Sequence, residues 1–233
     1  MALFIRQLIK CFRPNTAPVN NRGPATVQHR PTRAKYAPRP GRLHATPAYV
    51  LVVDQSNSTS KPLRMAFGRR TTRIEAIRLA SERYIQQLAA SNPRQLVAVV
   101  GFSDTSTLWH PLAPAGPAIR SLLQSLRSLL PLDFTNLSAG LASALGQLRQ
   151  SGTTRGNIVL ITDGAANVEK DRLPSLVQEA RARRVRIFTI GVGNDGDSEY
   201  DMNLLVHMAG STGGRFTSAH SFEALCNALR RAC

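Results

Sequence analysis

The sequence is short of acid. Fourteen Asp and Glu stand against 30 Lys and Arg, a formal net charge of +16 over 233 residues. None of the acids precedes Asp54, whereas Arg6, Lys10, Arg13, Arg22, Arg30, Arg33, Lys35, Arg39 and Arg42 supply nine positive charges, leaving +7 for the remainder. So basic a chain is drawn to nucleic acid, anionic lipid or an acidic protein surface. Cysteine is scarce and odd in number, Cys11, Cys226 and Cys233, with no C-x-x-C spacing. Reduced thiols are expected, rather than a metal cluster or a redox pair. No apolar run approaches the roughly 20 residues of a membrane span, and the N-terminus lacks the apolar stretch and small-residue cleavage site of a secretory signal. The cytosol is therefore the simplest compartment, with organelle targeting or peripheral membrane association left open.

Catalytic and nucleotide motifs are missing too. No G-x-x-x-x-G-K-[ST] occurs, and no serine sits in a G-x-S-x-G elbow. Gly191-Val192-Gly193-Asn194-Asp195-Gly196 fits G-x-G-x-x-G, but it follows a late strand and has no acid about 20 positions later to hold a ribose. The expectation is a protein that is not an enzyme.

The chain divides by composition. Residues 1–13 place Ile5, Leu8, Ile9 and Phe12 at helical spacing beside Arg6, Lys10 and Arg13, a short basic amphipathic segment. A helix docked on its own domain, a membrane or partner anchor, and an organelle-targeting peptide all fit it. Residues 14–47 are rich in Pro and Arg with almost no large apolar side chain, so burial cannot offset their ordering entropy and a disordered linker is expected. Aromatic residues for base stacking are nearly absent there apart from Tyr36.

From residue 48 to the C-terminus short apolar runs alternate with amphipathic segments, the pattern of an α/β domain with a mostly parallel, doubly wound sheet and helices on both faces. YVLVVD, LVAVVGF, NIVLITD and VRIFTIGVG read as buried strands. A shorter strand near Thr107 to His110 would pair as an antiparallel edge through a turn at Ser103-Asp104. Helices are expected over 71–90, 117–130, 138–149, 172–183, 202–209 and 222–231, with a short strand near 215–217.

In open α/β sheets ligands bind beyond the carboxyl ends of the strands. Two such ends are acidic here. VLVVD continues as Gln55-Ser56-Asn57-Ser58, so Asp54, Ser56 and Ser58 form D-x-S-x-S, and VLITD ends in Asp163 before Gly164. DFTNLSAGL places Thr135 in a loop just ahead of a helix. Two carboxylates and three hydroxyls, with no imidazole or thiolate, are the donor set of a hard cation. Mg²⁺ is the default, with Mn²⁺ or Ca²⁺ as alternatives, and such small ligands leave a coordination position that an acidic residue of a partner could fill.

These five residues, in this order, resemble the metal-ion-dependent adhesion site (MIDAS) of von Willebrand factor type A (VWA) domains. The flanking text VLVVDQSNSTS, TNLSAGLASAL, IVLITDGAAN, IFTIGVGND and the closing LLVHMAGSTGGRFTSAHSFEALCNALR fits as well, over about four fifths of the chain. The resemblance implies a Rossmann-like fold and a divalent-cation-dependent protein-binding module. Asp54, Ser56 and Ser58 would be first-loop ligands, Thr135 the second-loop ligand and Asp163 a third-loop ligand often acting through water. It also implies an intracellular assembly, since similar stand-alone domains often work beside AAA-type ATPases. Many family members carry glycine before the threonine, where this chain has Asp133-Phe134. An alternative function is an adaptor for nucleic acid or anionic membrane, driven by the basic residues 1–47 and carrying the domain as cargo holder.

Overall fold

The computed structural model describes residues 47–65, 69–153, 155–166, 168–194 and 200–232. The basic amphipathic segment and nearly all of the linker lie outside them, as do Cys11 and Cys233.

Strand β1 (Ala48–Asp54) is followed by a 3-10 turn (Asn57–Ser60), a small hairpin β2 (Pro62–Arg64) and β3 (Arg70–Thr72), and helix α1 (Arg73–Ser91). Then come β4 (Leu96–Phe102), β5 (Ser106–Pro114), α2 (Ala115–Arg127), α3 (Leu137–Gln150), β6 (Gly156–Thr162) and α4 (Leu173–Ala182). The chain closes with β7 (Val185–Val192), α5 (Met202–Thr212), β8 (Phe216–Ala219) and α6 (Phe222–Arg231). The main sheet runs β5-β4-β1-β6-β7-β8, parallel throughout except for β5, which returns antiparallel along β4. The expected doubly wound architecture with one antiparallel edge strand is thus the observed one.

Alternation along β1 divides the core into two layers, because successive side chains of a strand point to opposite faces. Tyr49, Leu51 and Val53 pack with Ile77, Tyr84, Leu122 and Leu225, from α1, α2 and α6. Val50 and Val52 pack with Leu141, Leu145, Leu173 and Met208, from α3, α4 and α5. Buried on both sides, β1, β4 and β6 are apolar almost without interruption, which is why they read as continuous runs.

Helix α3 comes close to the sheet through Gly140, where a Cβ would stand 2.8 Å from the Phe102 ring and 3.0 Å from Val52 Cγ1. Gly140→Ala is expected to destabilise the domain by about 1–3 kcal/mol in chemical unfolding, overpacking outweighing the better helix propensity of alanine.

Two elements differ from the sequence reading. Thr71 and Thr72, expected in the first helix, instead pair with β2, and Thr72 caps α1 by accepting from Glu75 N at 3.3 Å. The edge strand β5 extends to Pro114, well beyond His110. His110 is buried there, bonded to Ser121 Oγ and Pro111 O.

Candidate functional site

The register of the parallel strands brings the ends of β1 and β6 side by side, with Val53 opposite Ile161. Asp54 and Asp163 therefore meet at one edge, both fully buried. Asp54 Oδ1 accepts from Ser56 N at 2.8 Å, a short turn that swings the Ser56 and Ser58 hydroxyls back toward the strand tips. Asp54 Oδ2 accepts from Thr162 Oγ1. Ser58 Oγ donates to Asp163 Oδ1 at 2.7 Å, Ser56 Oγ lies 3.5 Å from the same oxygen, and the two hydroxyls are 2.9 Å apart.

Thr135 joins them from the loop between α2 and α3. A Cβ built on Gly164 would stand 3.2 Å from Thr135 Oγ1, 3.3 Å from Ser58 Oγ and 3.7 Å from Ser56 Oγ. The three hydroxyls thus surround one small space that glycine leaves open. All five expected residues converge. Asp133 does not join them: its side chain is exposed, and its backbone carbonyl accepts from Asn57 N.

Residues that the motif reading passed over hold the loops in place. Gln55 donates to Leu130 O at 2.8 Å, accepts from Trp109 Nε1 at 3.1 Å, and its carbonyl accepts from Leu132 N. One side chain and its own backbone thereby tie the second loop to the end of β1. Asn136 caps α3 by accepting from Ala139 N at 3.0 Å and donates to Asp104 O at 2.9 Å.

Arg73 is the largest departure from expectation. It opens α1, is fully buried, and its Nη1 lies 3.0 Å from Asp163 Oδ2. A guanidinium fits so enclosed a place only opposite a carboxylate, since an unpartnered buried charge is too costly. The helical spacing carried a signal of this, because Arg73 shares the apolar face of Ala76, Ile77 and Ala80.

The electrostatics are those of crowded anions. Burial, with the negative charge of Asp163 adding to it, pushes the Asp54 carboxyl up to about 7. The hydrogen bonds from Thr162 and Ser56 oppose this without overcoming it. A divalent cation would relieve the repulsion and accept all of these oxygens, so the donor set fits a hard metal ion. Among the described residues no three His, Cys, Asp or Glu gather anywhere. A cation here would therefore depend on hydroxyl ligands.

The sequence profile of the von Willebrand factor type A domain matches residues 50–231. The chain belongs to the VWA family. VWA domains are generally interaction or adhesion modules, typically non-enzymatic, and many bind a divalent metal. The fold agrees with a von Willebrand factor type A protein from Catenulispora acidiphila, with a TM-score of 0.66 at 18% identity over 79% of this chain and 41% of that one. It agrees also with the SpRpn10 VWA domain, with a TM-score of 0.63 at 16% identity over 79% of this chain and 94% of that one. An uncharacterised protein of Borreliella burgdorferi is 21% identical over 158 residues, 60% of this chain. The chain spans about 46% of the length of that curated relative.

Around the site the surface of the VWA domain carries exposed apolar side chains. Leu130 is 62% exposed, Phe134 54% and Leu132 49%, all in the loop that carries Thr135. Among the described residues no helix is long and apolar enough to cross a membrane.

Proposed function

We propose that this VWA domain is a divalent-cation-dependent protein-binding module whose site is completed by an Asp or Glu of the partner. The observation that carries the reading is the convergence of Asp54, Ser56, Ser58, Thr135 and Asp163 around the space left by Gly164. Mg²⁺ is the proposed ion, held by these residues. When bound it supplies a Lewis-acid position for a carboxylate oxygen. The protein's own contribution is orientation: Asp54 is fixed from both sides, Asp163 is anchored by Arg73, and Gln55 holds the second loop.

The apolar rim supports a protein partner. Leu130, Leu132 and Phe134 together offer side chains that a docked surface would bury, and exposed apolar clusters beside a polar centre mark such surfaces. Assembly with an AAA-type ATPase is the partner class that the family resemblance implies, and an intracellular setting goes with it.

Thermal unfolding of the full chain after EDTA treatment tests the reading. Added Mg²⁺ is expected to raise Tm, a site filled at 100 times Kd contributing about 2.7 kcal/mol. Acetate, as a minimal carboxylate, is expected to raise it further only when Mg²⁺ is present. Gly164→Ala should fold but lose at least about tenfold in Mg²⁺ affinity, because its methyl group stands against the three hydroxyls. An unchanged Tm with Mg²⁺, Mn²⁺ and Ca²⁺ alike, or an unaltered response in Gly164→Ala, would refute it.

A further inference from the structure

The opposite edge of the sheet, where the parallel strands begin, carries a second and unrelated feature. A cleft of about 460 Å³ opens there, and four of its wall residues are Arg155, Arg181, Arg184 and Arg186. They come from three separate places: the entry to β6, the end of α4 with the turn after it, and β7. All four are exposed, none is engaged in an ion pair, and no acidic or aromatic side chain lines the cleft among the described residues. Like charges gathered without counter-ions repel, so the arrangement favours an external anion.

Two further observations point to a ligand. Asn157, only 2% exposed, lines the same cleft, and its buried side-chain oxygen has no hydrogen-bond partner. A buried polar atom left unmet is costly, and this one stands in register with Arg186 on the neighbouring strand. Arg184 adopts φ 56°, the left-handed conformation that a glycine would take at no steric cost just past the end of a helix. A guanidinium is thus placed at the cleft where the backbone alone would prefer glycine.

We infer that this cleft binds an oligophosphate anion, two or more linked phosphates on one small molecule. One phosphate monoester, at about −2, neutralises only half of four guanidiniums. The planar donor forks of arginine suit phosphate oxygens, and the absence of aromatic walls means that phosphates rather than bases are read. The carbonyl ends of α4 and α5 oppose the anion, but each carries only about half a charge. The chain enters this edge at Pro47, a cleft residue, directly after the basic residues 1–46.

The test is calorimetric titration of the full chain in EDTA, which keeps it independent of the cation site. Inorganic phosphate, tripolyphosphate and ATP are compared on wild type, Arg184→Gly and Arg155→Gln. Tripolyphosphate is expected to bind well above inorganic phosphate. Arg184→Gly, which relieves the left-handed arginine, should keep or raise Tm while weakening tripolyphosphate about tenfold, and Arg155→Gln should weaken it similarly. ATP binding as tightly as tripolyphosphate identifies a nucleotide's phosphate chain as the source, and clearly weaker ATP binding identifies a free oligophosphate. Unchanged affinity in both variants would overturn the inference and assign any anion binding to residues 1–46. Equal affinity for inorganic phosphate and tripolyphosphate would overturn it as well.

Discussion

Arg73→Leu is expected to destabilise the cation-free domain by about 3–5 kcal/mol, and Mg²⁺ is expected to restore much of the loss. Arg73 and Asp163 are both fully buried and paired at 3.0 Å. Removing the guanidinium leaves Asp163 enclosed opposite Asp54 without the charge of Arg73, and breaking a buried pair from one end has this magnitude. Leucine fills part of the volume, so the effect is electrostatic rather than a cavity. A divalent cation supplies the missing charge to the same carboxylate, so the Mg²⁺-induced rise in Tm should be larger in Arg73→Leu than in wild type. Arg73→Leu combined with Asp163→Asn closes a double-mutant cycle. The pair should be less destabilised than the sum of the single changes, because neither charge then remains alone. Additive effects in urea unfolding, or a Leu variant as stable as wild type in EDTA, would show that the pair does not set the energetics of the site.

Much of this arrangement was legible in the sequence because it rests on short-range rules. Strands β1, β4, β6 and β7 are long apolar runs, β1 ends in an acid and β6 is followed by one, so both the sheet and its candidate site edge follow from local pattern. Thr135 was placed by its position just ahead of a helix that starts with an Asn cap. What escaped depends on contacts between distant parts of the chain. Gln55 looks like a spacer within D-x-S-x-S, yet its bonds reach Trp109 and Leu130, 54 and 75 residues away. The β2–β3 hairpin rests on three-residue strands with one buried apolar side chain, Leu63, too short to produce a period. Arg73 was hidden by composition: in so basic a chain one more arginine attracts no notice, although its place on the apolar face of α1 marks it. The cleft at the other edge assembles arginines separated by up to 31 positions, and its clearest local sign, a left-handed Arg184, exists only in the backbone.

Asp54→Asn is expected to stabilise the cation-free protein at alkaline pH while abolishing its response to Mg²⁺. Burial and the neighbouring Asp163 push the Asp54 carboxyl from an ordinary 3.8 to about 7. The folded state therefore holds a proton on Asp54 that the unfolded chain has already lost. Stability from this group is complete below pH 3.8 and is lost as pH rises through 7, by roughly 4 kcal/mol in total at 1.36 kcal/mol per unit. Asparagine cannot ionise, so its advantage over wild type should be small near pH 4 and grow to that order above pH 8. Its hydrogen bonds can also be met: the side-chain oxygen accepts from Ser56 N, the nitrogen donates to Thr162 Oγ1, and Thr162 then donates to Gly164 O, 3.1 Å away. Urea unfolding in EDTA at pH 5 and pH 8.5 measures both points. Equal pH dependence in wild type and Asp54→Asn would mean that Asp54 is already ionised in the folded protein at pH 5, with Arg73 compensating both carboxylates. The expected result, a variant more stable than wild type and blind to Mg²⁺, would mark Asp54 as a residue kept for its charge at the expense of the fold.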